Sequence, residues 1–224
     1  MDIKTDTKGL KDISPGTITG TDSGYTLEEV NRIEGTMDNP NGMPFYFKDL
    51  RDDSYVIFRA YIDGITENIA PSWNPTNYIG RSEPVYTYER AERDIGFNFK
   101  LFAQTKGELS MIYKKINKLT SLCYPEYHVD TDIDKDGNKT RMKPPLTKFR
   151  LGELFGASDS ATQNRKSEML GFIKSLTYTM PDEGVWETEN GKRVPKYITV
   201  SLGYQVIHAT VPNLETNFYG FVGD

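Results

Sequence analysis

Residues 85–104, VYTYERAERDIGFNFKLFAQ, carry the clearest strand pattern of the chain. In their second half, apolar side chains recur at every other position: Ile95, Phe97, Phe99, Leu101 and Ala103. Successive side chains of a β-strand point to opposite faces of a sheet. This period of two therefore predicts a long strand with alternate side chains turned toward a core.

The next segment, KGELSMIYKKINKLTSLC at 106–123, changes to helical spacing. One face of the predicted helix is apolar and contains Leu109, Ile112, Tyr113, Ile116 and Leu119. A second set of side chains is basic and is expected to lie away from that face, in solvent: Lys114, Lys115 and Lys118. Because proline cannot continue a helix, Pro125 is expected to end this one.

Further strand patterns flank this central pair of elements. They begin at Phe45 and continue in 54–65, 145–152, 172–180 and 195–211. Residues 67–84 contain three prolines and predict an irregular stretch. The pattern as a whole predicts an α+β, mainly antiparallel β fold, a sandwich or barrel with one flanking helix.

Length and charge suggest a β domain with an appendage. The chain has 224 residues, a net charge of −5 and no apolar run long enough to span a membrane. Residues 1–40 hold eight acidic and four basic side chains, a net −4, which leaves −1 for the rest. We expect residues 1–43 to form an extended acidic arm and residues 44–224 a single β domain. Because basic side chains do not outnumber acidic ones, the totals argue against tight binding to a phosphate backbone.

The residues that usually carry chemistry are sparse. Cys123 is the single cysteine, and His128 and His208 are the two histidines, without metal-ligand spacing. The segment from Asp132 to Gly137 resembles half of a calcium loop, but Lys143 stands where a glutamate ligand belongs, so a polar turn is expected. The sequence predicts no catalytic, cofactor-binding or metal site, and the chain is expected not to be an enzyme.

One segment, SWNPTNYIGRSEPVYTYERAERDIGFNFKLFAQTKGELSMIYKKINKLTSLCYPEY at 72–127, resembles the tail-tube-related baseplate proteins of contractile-tailed bacteriophages, namely the tube cap and tube initiator proteins. Residues spread along the whole segment carry this resemblance: Trp73, Pro75, Gly80, Arg81, Tyr86, Tyr88, Arg93, Phe97, Phe99, Glu108, Leu109, Tyr113, Asn117, Pro125 and Tyr127. The likeness extends as a pattern of elements over about residues 45–222.

The resemblance implies a tail-tube fold and a structural role in the virion, at the baseplate. Six such subunits would form a ring whose inner strands join into one barrel, linking the central hub to the tail tube. Its partners would be further copies of itself, the tail tube protein, and hub, wedge or sheath proteins. Double-stranded DNA would pass through the lumen without specific binding, no membrane would be involved, and assembly would occur in the host cytoplasm.

Two other classes of function remain open on the sequence alone. Trp73 and Trp186 could stack against a bound sugar in a carbohydrate-binding β-sandwich of a tail fibre or adhesin. A hydrolase would need a convergent cluster of acid and base side chains, which the sequence does not mark. Within the virion class, cap, initiator and terminator proteins are not separated by these residues.

Overall fold

The computed structural model describes residues 43, 45–58, 60–103, 106–129, 139–156, 168–180, 186–187, 193–208, 211–214 and 216–220. The described elements, in chain order, are β1 (Phe45–Asp49), β2 (Tyr55–Ile57), β3 (Tyr61–Thr76), β4 (Val85–Phe102), α1 (Lys106–Ser121), β5 (Glu126–Val129), β6 (Lys139–Lys143), β7 (Thr147–Leu151), β8 (Met169–Thr179), β9 (Trp186–Glu187), β10 (Val194–Pro195) and β11 (Tyr197–Val206). The predicted acidic arm, apart from Met43, and the Asp132–Gly137 turn lie outside the described residues.

A seven-stranded antiparallel sheet in the order β2-β1-β7-β8-β11-β4-β3 dominates the fold. Two small sheets, β5–β6 and β9–β10, accompany it. The predicted α+β, mainly antiparallel β class is confirmed. Among the described strands the main sheet stays open, with β2 at one edge and β3 at the other.

The sheet curls so that its two halves share one aromatic core. The ring of Phe45 on β1 lies 5.3 Å from that of Phe99 on β4, although three strands separate β1 from β4 in the sheet. Phe149 on β7 stacks between Phe47 at 5.0 Å and Phe97 at 5.3 Å. These rings are almost fully buried, and each contributes roughly 1.5–3 kcal/mol of hydrophobic stabilisation.

The strand and helix predicted from the central segment are both confirmed. Every second residue of β4 from Ile95 to Leu101 is buried, and Leu109, Ile112 and Leu119 of α1 enter the same core. The Tyr113 hydroxyl donates a hydrogen bond to the Pro195 carbonyl at 3.1 Å, which fixes α1 beside β10. The helix thus covers the core where the sheet leaves it open.

The basic face of α1 was predicted wrongly in part. Lys114 is exposed as expected, but Lys115 is only 3% exposed. Lys118 pairs with Asp49 at 3.3 Å and with Asp52 at 2.7 Å. The packing of β1 and the turn after it against the helix, which local spacing does not encode, brings these carboxylates to the lysine.

Two strand predictions need correction. Residues 54–65 form two strands rather than one, because the chain leaves one edge of the sheet at Ile57 and enters the opposite edge at Tyr61. Residues 67–76, predicted as irregular, belong to β3. The prolines Pro71 and Pro75 are tolerated there because β3 is an edge strand, where a missing N–H leaves no partner unpaired.

Candidate functional site: an apolar face on the β3–β4 hairpin

The β3–β4 hairpin extends well beyond the main sheet. β11 pairs with β4 only from Asp94 to Phe102, so residues 69–76 and 85–93 pair with each other alone. Most side chains in this outer part are exposed. An extra residue on β4 shifts the register between Ser72 and Trp73, and a bulge of this kind strengthens the local twist.

One face of the outer hairpin is apolar except for Arg93 at its base. Directly opposed pairs place Ile69 beside Arg93, Pro71 beside Ala91, Trp73 beside Tyr88 and Pro75 beside Tyr86. Since side chains alternate along each strand, these pairs share the face that Ile95 presents to the core. We call its exposed members the apolar hairpin face: Ile69, Pro71, Trp73, Pro75, Tyr86, Tyr88 and Ala91.

The opposite face of the hairpin is polar. Asn74 is paired with Thr87, and Ser72 donates a hydrogen bond from its hydroxyl to Glu89 at 3.0 Å. Arg90 and Glu92 form an ion pair at 2.7 Å on the same strand. The hairpin is therefore an amphipathic ribbon whose apolar side continues the core surface outward without a cover among the described residues.

The aromatic pair at the centre of the apolar hairpin face is in edge-on contact. Trp73 is 55% exposed, and its ring meets that of Tyr88 edge-on with centroids 5.1 Å apart. At the tip, the Arg81 N–H donates to the Tyr78 carbonyl at 3.3 Å, and Gly80 takes a φ of +86°, which favours glycine. Ile79 at the tip is fully exposed.

Exposed aromatic and aliphatic groups on one side of a projecting ribbon are typical of a surface that binds another protein. A contiguous apolar surface in water is unfavourable, and tyrosine and tryptophan are common at the centres of interfaces. β3 also leaves one side of its backbone unpaired among the described strands, and such an edge can accept a further strand.

At the base of the hairpin, Arg93 is only 4% exposed and forms an ion pair with Glu67. Its guanidinium also donates to the carbonyl of Phe218 at 3.0 Å. The Tyr219 hydroxyl donates to Glu67 at 2.7 Å, and this hydrogen bond to the Glu67 carboxylate raises the pKa of Tyr219. Partial desolvation and the charge of Arg93 lower the pKa of His208.

The structure gathers some of the residues that carry the family resemblance and separates others. Trp73, Pro75, Tyr86 and Tyr88 lie together on the apolar hairpin face, Gly80 and Arg81 form its tip, and Arg93 its base. The remaining residues belong elsewhere: Phe97, Phe99 and Leu109 in the core, Glu108, Tyr113 and Asn117 on α1, Pro125 after it, and Tyr127 exposed on β5.

Sequence reasoning missed part of this surface. Ile69, Pro71 and Ala91 were not singled out, nor was the pairing of Arg93 with Glu67 and the C-terminal aromatic residues. The alternation of Ile69, Pro71, Trp73 and Pro75 with smaller or polar residues was a usable signal, obscured by the prolines. The contact of Arg93 with Phe218 spans 125 residues of the chain and that with Glu67 spans 26, so no local pattern shows them.

No group of histidine, cysteine, aspartate or glutamate side chains suited to a metal ion occurs among the described residues. Within the same part of the chain, no helix combines the length and the apolar character needed to cross a membrane. Cys123 is half-buried, and burial raises the pKa of its thiol. Trp186 is exposed on β9, in a different sheet from Trp73.

Of the comparisons with known proteins, those with solved structures give matches. No protein-family model and no curated protein matches the chain. Among solved structures, a chain from the tail of an empty GTA particle, refined with C6 symmetry, aligns with a TM-score of 0.32 and 9% identity over 74% of this chain and 92% of that chain. A TM-score this low lies below the level at which a shared fold follows.

Proposed function

We propose that this chain is a structural subunit of a phage tail, which forms a ring at the base of the tail tube and has no catalytic role. The observation that carries the proposal is the apolar hairpin face, which projects from the sheet and needs a cover. The resemblance of residues 72–127 to tube cap and tube initiator proteins supports the same role, because four of the seven residues of that face are among those that carry the resemblance.

The arrangement of the main sheet favours a ring over a two-fold dimer. Its two edges, which no further described strand pairs with, are β2 and β3, and they are different surfaces at opposite ends of the strand order. Contacts between two different surfaces are heterologous and generate closed rings when the rotation closes. In the proposed ring, expected to hold six copies, each hairpin covers its apolar face against a neighbouring copy, and DNA passes through the lumen without specific contacts.

Light scattering on a sizing column tests this proposal over a wide range of protein concentrations. We expect a ring-sized species in the native chain and its loss in the double variant Trp73→Ser/Tyr88→Ser. Each anchor removed from an interface centre costs about 2 kcal/mol or more, equivalent to roughly a 30-fold weaker association.

The next cross-strand pair, whose side chains lie on the opposite face of the hairpin, supplies the control. Asn74→Ser/Thr87→Ser alters the neighbouring cross-strand pair and should leave the association unchanged. Equal association in both double variants would contradict the proposed interface.

A carbohydrate-binding role is the second candidate, favoured by the exposed rings of Trp73 and Trp186. Aromatic rings can stack on sugars, but a projecting ribbon presents Trp73 on a ridge. A native chain that stays monomeric at every concentration and binds glycans in a manner abolished by Trp73→Ser would favour this role over the ring.

A further inference from the structure

The C-terminal tail, residues 216–220, lies against the base of the β3–β4 hairpin. Phe218 and Tyr219 place their rings 5.9 and 5.4 Å from the Arg93 guanidinium carbon. Together with the hydrogen bonds of Arg93 to Phe218 and of Tyr219 to Glu67, these contacts bind the tail to both strands of the hairpin, because Arg93 lies on β4 and Glu67 on β3.

The same tail is also fixed to the main sheet. The Gly220 N–H donates to the Leu154 carbonyl at 3.4 Å, in the turn that follows β7. A Cβ atom at Gly220 would lie 2.1 Å from the Gly156 carbonyl oxygen, so this close approach requires glycine. Phe155, in that turn, is buried in the core and lies 6.0 Å from the Arg93 guanidinium.

The tail therefore joins the seven-stranded part of the sheet to a part where only β3 and β4 are paired among the described strands. Beyond Asp94 the hairpin consists of two strands, and a two-stranded ribbon is marginally stable in water without a third packing element. The direction of the hairpin relative to the sheet is set at the residue pairs next to Asp94, where the pairing of β4 with β11 ends. The tail packs against these residue pairs through its contacts with Arg93 and Glu67. It lies on the same side of the hairpin as the apolar hairpin face.

We propose that the C-terminal tail is a strap that fixes the direction of the β3–β4 hairpin relative to the main sheet. The strap acts on the hairpin within one subunit, so it operates whether or not the subunit joins a ring. Its consequence for assembly, presenting the apolar hairpin face in one orientation to a neighbour, rests on the proposed function.

Distance measurements between two spin labels test the strap in the full-length monomer. In a Cys123→Ser background, Arg81→Cys places one label at the hairpin tip and Thr177→Cys places the other on β8. We expect a single narrow distance distribution with the tail present. Deletion of residues 216–224 should broaden that distribution about two-fold or more. A second label pair within the main sheet, at Lys100→Cys and Thr177→Cys, is the control, and the width of its distance distribution should not change.

The thermal unfolding transition of the deletion variant separates loss of the strap from loss of the fold. A folded deletion variant with an unchanged tip-to-sheet distribution would overturn the proposal. If the deletion prevents folding, Gly220→Ala, whose new Cβ displaces the tail from the 153–156 turn, takes its place with the same readings. The distance measurements do not depend on ring formation. They therefore test the strap even if the proposed ring does not form.

Discussion

Asp49 joins the end of β1 to the end of α1 through two cations. The Arg51 guanidinium donates to both of its carboxylate oxygens, at 2.9 and 2.8 Å, and also to the Ser121 carbonyl at the helix terminus. Lys118 approaches the same carboxylate at 3.3 Å. The side chain of Asp49 is 1% exposed, so this cluster is a paired charge held inside the structure rather than a surface ion pair.

The pKa shifts of this cluster predict how stability depends on pH. Burial opposes ionisation of Asp49, but hydrogen bonds from Arg51 outweigh it and lower the pKa of Asp49. The pKa of Asp52 is lowered in the same way, against burial, by hydrogen bonds from Lys118 and Ser54. A carboxyl group with a lower pKa in the folded state stabilises the fold above its unfolded value of about 4, and this stabilisation is lost as the pH falls through the folded pKa.

We therefore expect the free energy of unfolding of the native protein to fall as the pH is lowered from about 5. Asp49→Asn should lower the free energy of unfolding at pH 7 by about 2 kcal/mol. It should also make the decrease of this free energy between pH 5 and pH 3 less steep. Urea unfolding between pH 7 and pH 3 measures both quantities. Asp53→Asn is the control, since the Asp53 side chain is 79% exposed and asparagine tolerates its φ of +57°. An unaltered acid slope in Asp49→Asn would show that another group controls it.

At the scale of elements, the contact between β8 and β11 depends on Gly171. A Cβ atom there would lie 2.1 Å from the Gln205 carbonyl oxygen and 2.7 Å from the Tyr204 ring. The Tyr204 hydroxyl is itself fixed by hydrogen bonds to the carbonyls of Thr147 at 2.8 Å and Met169 at 3.1 Å. Neither the backbone nor the ring can therefore move aside without breaking contacts between β7, β8 and β11.

Gly171→Ala should lower the free energy of unfolding by about 2 kcal/mol or more, since overpacking in a dense core costs about 1–3 kcal/mol. Denaturant unfolding at neutral pH measures the loss. Gly80→Ala is the comparison, because Gly80 has a positive φ of 86° but no atom within 4 Å of its Cβ position, so it tests backbone strain at the hairpin tip without crowding. Equal losses in the two variants would show that crowding at Gly171 is relieved by local movement.

The elements that could be predicted from sequence are those that local periodicity determines. The alternation of β4 and the apolar face of α1 follow from spacing along one segment, and both are found in the structure. The continuation of β3 past Pro71 could not be predicted in this way, because a proline is acceptable only at a sheet edge and edge position depends on the whole strand order. The burial of Lys115 and the contacts of Arg93 with Glu67 and Phe218 depend likewise on partners outside their own segment.

The candidate site could be predicted in outline and not in geometry. Trp73, Pro75, Tyr86 and Tyr88 were selected from the resemblance, yet their common face follows from the register of β3 against β4 and from the bulge beside Trp73. A shift of one residue in that register would place Trp73 and Tyr88 on opposite faces. The contacts between strands therefore turn four separate residues into one surface.

For the whole molecule, curling of the sheet explains how an open fold can be stable and still available for assembly. The interior is closed by the rings of β1, β4 and β7 and by α1, so the core does not need a neighbour. Among the described residues, the edges of the sheet and the apolar hairpin face stay open to a neighbour. Folding and assembly are therefore separable, and a change outside the core can affect one without the other.

The acidic arm provides the test of that separation. Residues 1–40 carry a net charge of −4 in a chain whose net charge is −5. We propose that this arm binds a neighbouring subunit or another baseplate component. Deleting residues 1–40 should leave the thermal unfolding transition of the β domain unchanged in calorimetry and abolish the ring-sized species in light scattering. A variant whose arm has the same composition in scrambled order keeps the charge and length as a control. Normal assembly of the truncated chain would contradict a role of the arm in assembly. If the truncated chain fails to assemble but the scrambled variant assembles, the arm acts through its charge, because electrostatic attraction depends on charge more than on sequence order.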